Sequence, residues 1–102
     1  MGTYAFTDEA ILDIEEICED LSQYSQDNAI RFFETVREKC RQVAQFPNMG
    51  KNYSEIAPNL RGFVVKNYIV FYFPHSNGIN VTRVINGYRD LEALSIGSTD
   101  IS

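Results

Sequence analysis

Long apolar runs are missing from this chain. None approaches the ~18 residues that a membrane-crossing helix needs, so no membrane partner is expected. The first ten residues, MGTYAFTDEA, lack a basic segment followed by an apolar one. No secretory signal is therefore expected there, and the cytoplasm is the expected location. Histidine occurs once, at His75, and cysteine twice, at Cys18 and Cys40, with no metal-ligand spacing among them, so no metal is expected. The one short glycine-containing stretch that could suggest a phosphate loop, NMGKN at 48–52, lacks the Walker spacing, and no cofactor is expected. Low-complexity tracts and internal repeats are also absent.

Basic residues are missing from positions 1–20, which hold seven acids: Asp8, Glu9, Asp13, Glu15, Glu16, Glu19 and Asp20. The remaining residues carry seven acids against nine bases, within an overall net charge of −5. That balance argues against steering toward nucleic acid, and no direct sequence-specific nucleic-acid binding is expected. Between Leu60 and Asp90, however, Arg61, Lys66, Arg83 and Arg89 face Asp90 alone, enough to hold an anionic group locally.

The 102 residues predict one domain spanning 1–102, with a polar, flexible tail at 95–102. TYAF at 3–6 reads as a short strand. Thr7 offers an N-cap with Asp8 and Glu9 in the first turn, where the helix dipole favours acids. Ile11, Ile14, Ile17, Cys18 and Leu21 form the apolar stripe of a helix running to Tyr24. Glu9, Asp13, Glu16 and Asp20 fall on a separate stripe expected to face water. Ser25 caps a second helix whose wide apolar face carries Ala29, Ile30, Phe32, Phe33, Val36, Cys40, Val43 and Ala44. Pro47 ends it after Phe46. The short connection makes the helices an antiparallel hairpin with Cys18 opposite Phe33 and Cys40 opposite Ile11. The cysteines are then ~10 Å apart along the axis at 1.5 Å per residue. A disulfide requires Cα atoms within ~7 Å, so both thiols are expected to be free.

Residues 47–59 read as loop. Strands follow at 60–65, 68–73 and 79–85, joined by Lys66-Asn67 and by an Asn-Gly turn signal at 76–78. DLEAL at 90–94 reads as a helical turn. The order β-α-α-β-β-β predicts an α+β two-layer domain, a helical hairpin on one face of a mostly antiparallel four-stranded sheet. Alternation along strands sorts side chains onto faces. One face collects Leu60, Val64, Ile69, Phe71, Phe73 and Val84, carries no charge, and is assigned to the helix layer. The other collects Arg61, Phe63, Val65, Tyr68, Val70, Tyr72, Val81, Arg83 and Ile85. It is expected to lie open, with Arg61, Arg83 and Tyr72 close together and the apolar residues forming a patch for a partner. The structural alternative is that Arg83 pairs with Asp90 or a backbone carbonyl and Arg61 is solvated.

FPNMGK, LRGFVVKNYIVFYF and VTRVINGYRDL, in that order behind an acidic-first helical hairpin, closely resemble the ParE branch of the ParE/RelE toxins. These are the toxin halves of bacterial type II toxin–antitoxin systems. The resemblance covers roughly Tyr4 to Leu94. It implies the same two-layer fold, with the first strand inserted beside the last. It also implies growth inhibition, plasmid stabilisation, and a cognate antitoxin that wraps the helical hairpin and sheet in a hetero-oligomer. ParE members poison DNA gyrase; RelE members cut mRNA on the ribosome. For the nuclease branch, Arg61 and Arg83 match RNA-gripping positions, Lys51 lies in the lysine-bearing loop, and Tyr88 lies near a reactive end. Tyr88, Arg89 and Asp90 form the strand-end motif. Asn86 stands where many relatives carry histidine and cannot take a proton near neutral pH. No histidine or carboxylate is placed for acid–base cleavage of RNA, which favours the gyrase-binding reading, with no catalytic residue assigned. The alternatives are a ribosome-dependent ribonuclease and a relic of the fold that only binds an antitoxin.

Overall fold

A computed structural model describes residues 2–87. The chain runs β1 (Thr3–Phe6), α1 (Asp8–Ser22), α2 (Gln26–Gln45), β2 (Lys51–Asn52), β3 (Arg61–Val65), β4 (Tyr68–His75) and β5 (Gly78–Asn86). The tail at 95–102, the helical turn at 90–94 and the Tyr88-Arg89-Asp90 motif lie outside the described residues.

Local chemistry sets the helix ends. The Thr7 hydroxyl accepts from the Ala10 N–H at 3.1 Å, and the Ser25 hydroxyl accepts from the Asn28 N–H at 3.3 Å. Helix α1 stops at Ser22, two residues before the expected Tyr24. At the end of α2, Phe46 leaves helical geometry at φ −135° ahead of Pro47, as the proline rule requires. Thr7 also ties strand to helix: its N–H donates to Val81 O at 2.9 Å and its hydroxyl to Thr82 O at 3.0 Å.

The sheet has five strands in the order β1-β5-β4-β3-β2. Strand β1 pairs in parallel with β5, and the other pairs are antiparallel. The α+β two-layer architecture and the placing of the first strand beside the last are as expected. The fifth strand is new, because Lys51 and Asn52 of the expected loop pair with Gly62 and Arg61. The second hairpin turns on Ser76-Asn77 rather than on Asn-Gly, since His75 still pairs with Gly78. Gly78 has φ +151°, and a Cβ there would collide with the Thr3 backbone. The glycine of the turn signal is therefore needed for β1 to approach β5.

Two cores flank the sheet. Under the helices, Ala10, Ile14, Ile17, Phe32, Val36, Cys40, Val43 and Ala44 pack on Val65, Val70, Tyr72, Ile79, Val81 and Val84, with Phe63 and Tyr68 at the margin. On the other face, Tyr53, Ala57 and Leu60 fold back over Ile69, Phe71 and Ile85.

This arrangement reverses the expected facing of the sheet. The grouping of Arg61, Phe63 and Val65 with Tyr72, Val70 and Tyr68 is correct, and their pairing is as read. That group, however, lies beneath the helices, so Phe63, Tyr68, Val70, Tyr72 and Val81 are not an open binding face. The segment 53–60 instead covers Ile69, Phe71 and, at the margin, Phe73 of the uncharged face, while Val64 stays exposed; strand alternation does not reveal that cover. Strand β5 departs further. Tyr72 pairs with Val81 and Phe71 with Arg83, so Thr82 is an extra residue, a β-bulge. Beyond it the parity switches, sending Val84 to the helix side and Ile85 to the outer core. The bulge thus separates Arg83 and Ile85 from the face that holds Arg61.

Candidate interaction surface

Both arginines singled out in the sequence are occupied within the chain. Arg61 Nη1 donates to Asn48 O at 3.0 Å and to Gly50 O at 2.7 Å. Beside it, the Tyr72 hydroxyl donates to Pro47 O at 2.7 Å and accepts from the Gly50 N–H at 3.0 Å. Burial raises the Tyr72 pKa, opposed by the Gly50 N–H and the Arg61 charge, so the phenol stays protonated and able to donate. These four bonds bind Pro47–Gly50 to the sheet. A Cβ on Gly50 would collide with Tyr72 Oη and stand 2.9 Å from Gly62 O. The PNMG stretch is thus legible as a loop folded flat against a tyrosine and an arginine.

Arg83 meets α1. Its Nε donates to Asp13 Oδ2 at 2.7 Å and its Nη2 to Asp13 Oδ1 at 3.1 Å, while the Val84 N–H donates to Oδ2 at 3.0 Å. The pairing of β1 with β5 ends at Val81, which leaves the next stretch of that edge without a strand neighbour. Thr7 and Asp13 fill the gap. The carboxylate satisfies an edge N–H and holds a guanidinium in a two-pronged bond. The hydrogen bonds that Arg83 donates to Asp13 are the main cause of its raised pKa, with the Asp13, Glu9 and Glu16 charges adding to it against desolvation. Asp13 is therefore not a solvated member of its acidic stripe: among the described residues it is the partner of Arg83, and Asp90 lies outside them.

The remaining predicted residues are dispersed. Lys51 Nζ lies 5.3 Å from the centroid of the Tyr53 ring, on β2. His75, exposed at the end of β4, accepts through Nδ1 from the Asn77 N–H at 3.1 Å. Cys40 is buried and Cys18 half-buried, and both thiols are free. Among the described residues there is no cluster of His, Cys, Asp or Glu able to hold a metal ion.

Among the described residues, several of the exposed large apolar side chains lie on the helices. A groove of about 470 Å³ between α1 and α2 is lined by Phe6, Ile11, Ile14, Glu15, Cys18 and Phe33. Ile11, Leu12, Ile30 and Phe33 are all exposed, Leu12 at 58% and Ile30 at 52%. Cys18 Sγ reaches Ala29 O at 3.8 Å across the hairpin. On the α2 side, the Arg37 guanidinium lies 5.8 Å from the Phe33 ring centroid, and a hydrogen bond with Tyr4 raises its pKa. The signal for this surface was present in the width of the α2 apolar face. Phe32, Val36, Cys40 and Val43 suffice to cover a sheet, so Ile30 and Phe33 were surplus.

The family model described as ParE toxin of type II toxin-antitoxin system, parDE, matches residues 4–91. Among solved structures, a chain titled chromosomal ParDE TA system from P. aeruginosa is similar at 16% identity and a TM-score of 0.69, covering 84% of this chain and 96% of that one. At that identity the likeness speaks for the fold. A search of curated proteins found no match. With its two-layer fold and a family match running from β1 past the end of β5, the chain belongs to the ParE toxin family of type II toxin–antitoxin systems.

Proposed function

We propose that this chain acts in the cytoplasm as a toxin that inhibits DNA gyrase by binding it, and that a cognate antitoxin neutralises it. The observation that carries the reading is the two-pronged Asp13–Arg83 pair. A ribonuclease built on Arg61 and Arg83 needs both guanidinium groups free to grip phosphate. Here one is neutralised by a carboxylate and the other is held by two carbonyls. The net charge of −5 also opposes docking on ribosomal RNA, where phosphate contacts dominate affinity. The purified chain should block supercoiling by gyrase and release it when the antitoxin is added. No effect on supercoiling at high micromolar concentration counts against the reading. Cleavage of mRNA in a translating extract, lost in a folded Arg83→Ala variant, would replace it with the ribonuclease. Induced expression without growth arrest would reduce the chain to an antitoxin-binding relic.

A further inference from the structure

We infer that the loop at 46–49 is the surface that meets the chain's protein target, and that it enters an apolar pocket with an acidic rim there. This inference deepens the proposed function and rests on it for the existence of a target; the target's chemistry comes from the loop.

Phe46 is 67% exposed and Met49 58% exposed. Exposed apolar side chains scattered singly are ordinary, but these two stand on one loop and share a cleft of about 390 Å³ with Arg41 and Gln42. The loop is also held in one shape. Phe46 leaves helical geometry ahead of Pro47, and the Met49 N–H donates back to Phe46 O at 2.9 Å. Arg61 and Tyr72 then bond the main chain of Pro47, Asn48 and Gly50. Those bonds fix the backbone and leave both apolar side chains in water. A loop ordered in advance loses less freedom on binding. Phenylalanine, methionine and arginine are also residue types that interfaces favour.

The surroundings are cationic. Residues 39–54 hold Lys39, Arg41 and Lys51 and no acid, and Arg61 touches the loop itself. Glu38 lines the same cleft, but its carboxylate is already bonded to Arg41 at 2.6 Å. A partner that complements this loop offers an apolar recess for Phe46 and Met49 and carboxylates around it. Phe46 follows Phe33 by 13 residues, ~20 Å along the α2 axis at 1.5 Å per residue, so the loop is a surface apart from the groove. A second copy fits poorly, because a twofold contact would set Arg41 and Lys51 against their own copies. An anionic membrane matches the local charge, but two side chains insert too little apolar surface to hold a chain of net charge −5.

The test uses the full chain. Affinity for purified gyrase is read by surface plasmon resonance, and growth arrest on induced expression gives a readout that does not presuppose gyrase. Phe46→Ser with Met49→Ser should weaken gyrase binding at least about tenfold and relieve the arrest. Arg41→Glu with Lys51→Glu should weaken binding at least about tenfold at low salt, and less at high salt. All four residues are exposed, and circular dichroism verifies that the variants fold. Arrest that persists in the Phe46→Ser/Met49→Ser variant overturns the inference. So does undiminished binding by the charge-reversed variant, or binding of phosphatidylglycerol vesicles that the serine variant loses. Gyrase binding insensitive to all four substitutions overturns the loop assignment and leaves the gyrase reading intact. A wild type that arrests growth without binding gyrase sinks the gyrase reading, and loss of that arrest in both folded variants upholds the loop assignment. A wild type that neither binds gyrase nor arrests growth overturns both.

Discussion

Beneath the helices, Val70, Tyr72, Ile79 and Val81 have no exposed surface, whereas on the hairpin itself Leu12 and Ile30 are more than half exposed. The sheet carries the conspicuous charges and is covered on both faces apart from Val64, which is 57% exposed; the hairpin carries few remarkable residues and is open. The difference shows that an arginine on a strand is a poor indicator of a working surface in so small a domain. Arg61 and Arg83 sit where the sheet meets a loop and a bare strand edge, and each satisfies a local backbone or carboxylate need. Surplus apolar side chains, by contrast, have no internal use and so mark surface reserved for something else.

Substitutions on the closed side should cost far more than those on the open side. Tyr72→Ala should lower unfolding free energy by about 3–5 kcal/mol in urea titrations, since it removes a fully buried ring. Tyr72→Phe should recover all but about 1–3 kcal/mol, the cost of leaving the Gly50 N–H and Pro47 O without partners. A Tyr72→Ala protein of near wild-type stability would mean the loop is not anchored there. Next, Gly50→Ala should cost about 1–3 kcal/mol by overpacking against that hydroxyl.

Burial pushes the Cys40 thiol up to about 12 from 9.0. Below pH 9.0 both folded and unfolded chains keep the proton, and stability is unaffected. Above it the unfolded chain ionises first, so stability should fall by about 1 kcal/mol at pH 10 and continue falling toward the folded pKa. Chemical denaturation of wild type and Cys40→Ala across pH 8–11 measures this contribution, and parallel curves would refute it. The smallest effect belongs to the open side: Leu12→Ser should change stability by less than about 0.5 kcal/mol. A loss of several kcal/mol would show that the hairpin's outer surface is part of the core.

Much of this fold was legible because local chemistry dictated it. Thr7 and Ser25 cap, Pro47 stops a helix, and Lys66-Asn67 sets the register that pairs Phe63 with Val70. Three features were not legible, for distinct reasons. The segment 53–60 covers one face of the sheet through tertiary packing of Tyr53 and Ala57, which leaves no periodic trace. The bulge at Thr82 breaks alternation within an unbroken strand-forming run, so Arg83 and Ile85 were placed on the wrong face. Asp13 looked like one acid of a solvated stripe because its partner lies 70 residues away in sequence. The surface on α1 and α2 was half legible: Ile11, Ile30 and Phe33 fall on the apolar faces of their helices, but the pattern does not say how much of so wide a face the sheet covers.

The central claim is that Arg83 is a structural tie, bound to Asp13 across the open edge of β5. A double-mutant cycle with Asp13→Ala, Arg83→Ala and both together, followed by urea unfolding, measures that tie directly. For a half-buried, two-pronged pair that also holds the Val84 N–H, a coupling of about 1–3 kcal/mol is predicted. Additive effects, with coupling indistinguishable from zero, would mean that the guanidinium is free for another ligand and would contradict the account.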